Sequence, residues 1–460
     1  MPPILALLAC YGFIFWAFRR DAREHPYLSS SLWLPTLWMM RCGSRSIDYW
    51  FGGGEETAKY DQILLLLLVL GSLVALSRRP ANWGGVIGHN AAVFLFYGYI
   101  FLSISWVQGF DNPLTKLLRP VGDLCMALVV ATEPNPRQAI ITMCRRTCIA
   151  LIPLSIVLIK YYPYLGRMQD KHWGLDSWIG VCTHKNPLGQ LCLAASLGVI
   201  WTMIEDRRRG IPLKKQRFSW ILALLISYPY FAGDVNSRSS TAIFCLFLCV
   251  ALLWAIGRLR NQIDAVLRKI MGGAVVLLLL SGMLNLVGSS PQDAVAAIFG
   301  KDATLSDRTY LWADVIRIGS QQHLMLGSGY GSFWVPSLYP QLSPMVDNKP
   351  AEAHNGYLET FANLGLVGVF LLAIMIVQSI RSAAVTTRTD FEYGRMRLAV
   401  LIMVVVLNYS EAAFPRGCHL WWFSFLVFAL YARPWVAWPE EPAAPEAAVS
   451  VGSVQVEVMG

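Results

Sequence analysis

The stretch Gln62–Ser77 reads Q-I-L-L-L-L-L-V-L-G-S-L-V-A-L-S and is closed by Arg78 and Arg79. No charge interrupts it, so a helix built from it is apolar on every face. About 20 such residues cross a bilayer. Comparable runs lie near 3–17, 31–41, 91–107, 118–132, 143–160, 187–204, 218–233, 240–257, 269–288, 356–379, 396–410 and 418–436. Those near 31–41 and 118–132 are short and carry polar or Pro residues, so the expected count is twelve or thirteen spans. Composition agrees. Of 460 residues, 55% are apolar or aromatic and 15% charged, against about 25% charged in ordinary soluble proteins. Mean hydropathy is +0.47. Soluble, secreted, fibrous and disordered readings fail for want of polar surface. The expected fold class is an all-α polytopic membrane protein, with 12–13 transmembrane helices and one long outer (periplasmic) loop.

The formal net charge of +9 does not point to nucleic acid, because basic residues of a membrane protein first report its topology. Clusters at Arg19–Arg23, Arg78/Arg79, Arg137–Arg146, Arg207–Arg217, Arg258–Lys269 and Arg381–Arg397 follow every second run. With alternating spans all of them fall inside. The amino terminus is then outside, and the Pro/Glu/Ala-rich tail 437–460 is flexible and cytoplasmic. Arg19 and Arg20 follow the first apolar run, which argues against a cleavable signal peptide. The ten cysteines contain no C-x-x-C, and pairs such as Cys144/Cys148 and Cys245/Cys249 sit in apolar runs. They read as small buried helix residues, with a structural disulfide as the minor alternative. The chain divides into N-terminal helices 1–180 and a region 181–436 that includes the long outer loop 289–355.

The outer face carries the chemistry-bearing residues. Four segments meet there in this topology: T-H-K-N-P-L-G (Thr183–Gly189), N-S-R-S-S-T (Asn236–Thr241), S-D-R-T-Y-L-W (Ser306–Trp312) with G-S-G-Y-G (Gly327–Gly331), and A-H-N-G-Y-L-E (Ala353–Glu359) running into F-A-N-L-G-L-V-G. Three of them open helices, where unpaired N–H groups and the positive dipole end attract anions. Asn186, Asn236 or Ser237, and Asn355 are candidate caps. Adding His184, Lys185, Arg238 and Arg308 gives a site for a multiply charged anion, and phosphate fits the guanidinium fork. Each element alone also has an ordinary reading as a snorkelling cation, a helix cap or a flexible turn. The motifs offer no divalent-metal cage of the familiar kinds and no acyl-transfer set.

Taken in order, these motifs resemble the O-antigen ligase / Wzy-type polymerase superfamily. The resemblance rests chiefly on Ala353–Gly368, supported by His184–Gly189, Ser237–Ser240, Asp307–Trp312, Gly327–Gly331 and N-Y-S-E (Asn408–Glu411). It covers about residues 180–435. R-R-D-A-R-E-H-P (Arg19–Pro26) and S-R-S-I-D-Y-W (Ser44–Trp50) are similar to succinoglycan-type exopolysaccharide polymerases. One departure is that Leu324–Leu326 stand where the family often has Pro before the Gly-rich turn.

The resemblance implies a glycosyltransferase of the bacterial inner membrane, with its site facing the periplasm. Its donor would be an undecaprenyl-diphosphate-linked oligosaccharide. Its acceptor would be a lipid-linked repeat or lipid A-core, and a chain-length regulator would be a further protein partner. No cofactor, metal or nucleic acid is called for. By analogy Arg238 and Arg308 hold the diphosphate, with Lys185 assisting, and His354 is the general base. His184, Asn186, Asn355, Glu359 and Glu411 complete the binding set, Glu359 in a supporting role. Tyr161, Tyr162, Tyr164, Arg167, Lys171, His172 and Trp173 are a candidate acceptor groove, or an interfacial aromatic belt. The competitors are an O-antigen ligase, protein O-glycosylation, a transporter or flippase, and a sensor of lipid intermediates. Charges gathered at one mouth, without matched inverted halves, weigh against a transporter.

Overall fold

Apolar runs flanked by cations become helices because a bilayer leaves no water for unpaired backbone groups. The computed structural model describes residues 2–24, 28–51, 55–107, 113–169, 176–231, 238–262, 265, 308–344, 346 and 350–437. Its helices are α1 (Pro3–Glu24), α2 (Trp33–Cys42), α3 (Ile47–Trp50), α4 (Glu55–Ser77), α5 (Trp83–His89), α6 (Ala91–Ser103), α7 (Pro113–Ala131) and α8 (Pro136–Tyr161). There follow α9 (Pro163–Gly166), α10 (Lys185–Arg208), α11 (Arg217–Phe231), α12 (Ser240–Arg258), α13 (Arg308–Gln322), α14 (Gly356–Thr389), α15 (Phe391–Leu407) and α16 (Leu420–Ala429). The protein is an all-α multi-pass membrane protein. A two-stranded antiparallel ribbon, β1 (Arg167–Gln169) with β2 (Asp176–Trp178), is the one strand pair among the described residues. At three residues a strand, it is too short for periodicity to reveal.

The apolar runs differ in kind. Among the described residues, α1, α4, α8, α10, α12 and α14 are long and apolar enough to cross a membrane, and α5 with α6 would make a seventh, bent by 87°. The runs near 31–41, 218–233, 396–410 and 418–436 appear as the shorter α2, α11, α15 and α16. The run near 269–288 lies outside the described residues. All ten residues of α16 are buried. This helix lies within protein, and its apolarity reports a core position rather than contact with lipid. Its Trp422 and Phe425 stack on each other and meet Phe414 edge-on.

Some cations read as loop markers are inside helices. Arg145 and Arg146 lie in α8, both closed on Asp21. Arg397 lies in α15, fully buried, and donates to the carbonyls of Phe428 and Ala429 and to Thr386 Oγ1. Pairing is what makes their burial tolerable.

α14 is broken. Gly365 has φ +64 and ψ −165 inside it, and a Cβ there would lie 2.3 Å from the carbonyl oxygen of Met325. The Gly-rich turn fills the break. Leu366 and Val367 N–H donate to Leu324 and Met325 O, while Ser328 and Gly329 N–H donate to Ala362 and Asn363 O. Tyr99 Oη brings one further donor within reach of both Leu326 O and Leu364 O. The G-S-G-Y-G motif thus patches freed helix carbonyls, and Leu324 and Met325 just before it patch the freed amides.

Candidate functional site

α10, α12 and α14 begin, and α15 ends, at the same end of the molecule, opposite the basic ends Arg207/Arg208, Arg258 and Arg388. The loop 408–419 closes this end. Asn408 caps α15 and shapes the loop by accepting from Ala413 N (3.0 Å) and Phe414 N (2.8 Å) through Oδ1. Its own carbonyl accepts from Gly356 N at 2.8 Å, which ties the loop to the first residue of α14. A side chain at Gly356 would meet Asn408 Oδ1 at 2.0 Å, so this position in the motif requires glycine.

His354 stands one residue before the α14 cap, at φ +50. A left-handed backbone costs a non-Gly residue energy and persists only where its surroundings enforce it. The enforcement is visible on both sides. Trp312 Nε1 donates to Ala353 O at 2.7 Å, and Glu359 Oε2 accepts from Ala353 N at 2.9 Å. Asn355 Oδ1 caps α14 through Tyr357 N and Leu358 N, as its motif implied, and its amide donates to Tyr409 O. Glu359 also accepts from Trp334 Nε1 and Asn363 Nδ2. It therefore braces the His354 turn from behind.

Around the imidazole, Nδ1 lies 2.9 Å from Glu352 Oε1, and Glu352 in turn pairs with Arg416. One ligand-type atom each from Glu352, His354 and Glu411 lies within 4.8 Å of the others. No single motif holds this trio, so the carboxylate–imidazole cluster is created by folding. Glu411 is buried and held by amides: Asn186 Nδ2 (3.3 Å) and Gln190 Nε2 (3.2 Å), one turn apart on α10. Arg308, at the start of α13, donates to Ser410 O at 2.9 Å.

Burial, then Arg308, hold the His354 imidazole below its ordinary pKa, against the pull of Glu411 and Glu359. Burial pushes the Glu411 carboxyl up, with Arg308 and His354 acting against it. His184 is lowered by burial and then by His354, so the two imidazoles share one neighbourhood. At neutral pH His354 is accordingly a neutral base beside a fixed guanidinium.

Two expected caps are corrected. α10 begins at Lys185 with His184 as its cap residue, so Asn186 lies inside the helix and its side chain serves Glu411 instead. α12 is capped by Ser239 through Ala242 N, whereas Asn236 and Ser237 lie outside the described residues. Arg238 is half-buried beside that cap, and Thr241 lies 3.4 Å from Ser410, next to the carbonyl that Arg308 holds. Of the proposed acceptor groove, Lys171, His172 and Trp173 lie outside the described residues. Arg167 pairs with Asp176 across the β ribbon, and Tyr164 is exposed.

Sequence reasoning missed Glu352, Gln190 and Arg416. Gln190 stands four residues after Asn186 on α10, a helical spacing that offered a signal, whereas Glu352, two residues before His354 and outside any helix, carried none. Arg416, in F-P-R-G, offered none.

Residues 217–373 match a protein-family model described as O-Antigen ligase. That span holds Arg238, Arg308, His354 and Glu359, and leaves out Lys185 and Glu411. Over 309 residues the chain is 24% identical to the "Exopolysaccharide production protein ExoQ" of Rhizobium meliloti (strain 1021), covering 64% of this chain. The chain spans 65% of that relative's length. Both matches support the resemblance to the O-antigen ligase / Wzy-type superfamily.

Proposed function

We propose that this protein polymerises undecaprenyl-diphosphate-linked oligosaccharide repeats on the periplasmic face of a bacterial inner membrane. The observation that carries the reading is His354: a neutral imidazole in an enforced backbone turn, beside Arg308, with a carboxylate at Nδ1. Nδ1 lies 2.9 Å from Glu352 Oε1 without the geometry of a hydrogen bond, and in this reading Nε2 takes the proton from an acceptor hydroxyl. The freed oxygen bonds to the anomeric carbon as the bond from that carbon to the diphosphate breaks, which inverts the configuration. Negative charge then gathers on the leaving diphosphate, where Arg308, Arg238 and Lys185 hold it. In this reading the region 181–436 carries the catalysis and the helices 1–180 frame it. Fixed guanidiniums take the electrostatic role, so the reaction is metal-independent.

The ExoQ relative's printed role in exopolysaccharide production favours a lipid-linked repeat as acceptor. The family description favours the second reading, a ligase that passes the glycan to lipid A-core. Purified protein given lipid-linked single repeats, without lipid A-core, should build a ladder of lipid-linked oligomers, with EDTA making no difference. Transfer that appears only once lipid A-core is added would establish the ligase. Loss of activity in EDTA with recovery in Mg²⁺ would overturn the metal-independent step and assign the Glu352–His354–Glu411 cluster to an ion.

A further inference from the structure

Cys42 ends α2, and Cys418 closes the loop that carries Glu411 and Arg416. Their Sγ atoms lie 3.4 Å apart, although 376 positions separate them in the chain. Contacts that do not involve sulfur set this approach. Asp123 of α7 accepts from Trp38 Nε1 on α2 at 2.7 Å and from Cys418 N at 2.9 Å, so one carboxylate holds both sides. Gly417 N donates to Tyr330 Oη at 2.9 Å, and Gly417 has no room for a side chain, since a Cβ would lie 2.8 Å from that of Arg119. Cys418 itself has φ +58, a left-handed conformation that a β-carbon disfavours. The backbone is held in an unfavourable posture that brings one thiol to the other.

The two thiols differ from most of the other cysteines in exposure. Seven of the ten cysteines are buried, whereas Cys42 and Cys418 are partly exposed, as is Cys144. The hydrogen bond from Cys42, then Arg41 and Arg119, hold the Cys418 thiol below its ordinary range despite its desolvation. A thiolate is the attacking species in disulfide exchange.

We propose that Cys42 and Cys418 form a dithiol that closes to a disulfide on the outer face, tying α2 to the loop 408–419. This rests on the outward orientation of the site, because disulfides persist in oxidising compartments. The Cys418 thiolate attacks the disulfide of an envelope thiol oxidase, forming a mixed disulfide and releasing one oxidase thiolate. The Cys42 thiolate then attacks the Cys418 sulfur. The Cys42–Cys418 bond forms and the second oxidase thiolate leaves. The oxidase gains two electrons and takes up the two protons that the cysteines lose. The sulfurs have only to close from 3.4 Å to a bond of ~2.05 Å. The cross-link would fix the loop whose Glu411 and Arg416 border His354.

The test uses full-length protein, purified from membranes without reductant, alkylated and digested. Two of the ten cysteines should escape alkylation and appear as one peptide pair containing positions 42 and 418, which reductant separates. Reductant should also lower Tm of the wild type and leave Tm of Cys42→Ser and Cys418→Ser unchanged. Full alkylation of both thiols, even after treatment with oxidised glutathione, would overturn the dithiol. A separate variant, Met345→Cys on a background free of native cysteines, reports orientation when intact spheroplasts are labelled from outside. Labelling at 345 with both native thiols free sinks the disulfide alone. The cross-linked peptide without labelling at 345 sinks the outward orientation alone.

Discussion

At the basic end of the bundle, Arg145 and Arg146 close on Asp21 and Arg79 closes on Glu133, all nearly inaccessible to solvent. At the opposite end, Arg308 donates to a carbonyl and Glu411 accepts from two amides. Both ends bury charge among apolar helices. At the first, opposite charges pair directly, with Asp21 shared by two guanidiniums and Glu133 facing one. At the second, neutral groups hold Arg308 and Glu411, while the Glu352–Arg416 ion pair borders His354; in the proposed reading this leaves Arg308 and His354 to meet a substrate. Charged residues in membrane helices are costly and are read by default as functional. In the proposed reading, the choice of partner separates the structural charges from the functional ones.

The comparison breaks first at His354. His354→Ala should cost about 10²–10⁴ in transfer rate, the usual contribution of a positioned base, with Tm in detergent unchanged and donor binding retained. A rate near wild type removes His354 from the chemistry. Asp21→Asn should do the reverse, since it leaves two buried guanidiniums without their carboxylate. Breaking such a pair costs about 3–5 kcal/mol, so folded yield and Tm should fall while the rate per folded molecule holds. A normal Tm would show that Arg145 and Arg146 find water or lipid phosphate instead.

Arg308→Ala should lower the rate by about 10²–10³, the loss typical of one transition-state donor. It also carries a pH signature. Arg308 depresses the His354 pKa, and activity is lost as pH falls through that pKa. Removing the cation raises it, so the acid limb of the variant's residual activity should move to higher pH. An unmoved limb would separate Arg308 from His354. The smallest effect is expected at Glu352→Gln, about 10–100-fold, as for groups that orient a functional histidine. It should appear in kcat more than in KM, whereas a loss confined to KM would make Glu352 a binding residue.

Much of the site was legible because its parts are local. Asn355 caps α14 from inside the motif that proposed it, and Arg308 and Trp312 occupy one face of α13 a turn apart. G-S-G-Y-G was legible as a turn but not as a patch, because its partners Ala362–Val367 belong to another element and become available only where α14 breaks. Asn186 was expected to cap α10. It instead reaches Glu411, 225 positions away, and no local pattern carries that distance.

The sequence alone determined the membrane class, most of the apolar helical runs and the order of the motifs. Apolar runs and caps act over one or two helical turns, so the chain need not be folded for them to be read. The tertiary structure alone decided that α16 is buried in protein, that Arg145 and Arg146 both pair with Asp21, and that Glu352, Gln190 and Arg416 are brought to the His354 site. Each of these depends on which distant group comes to face a side chain. In a low-dielectric interior that partner, rather than the residue type, determines whether a charge supports the fold or remains available to a substrate.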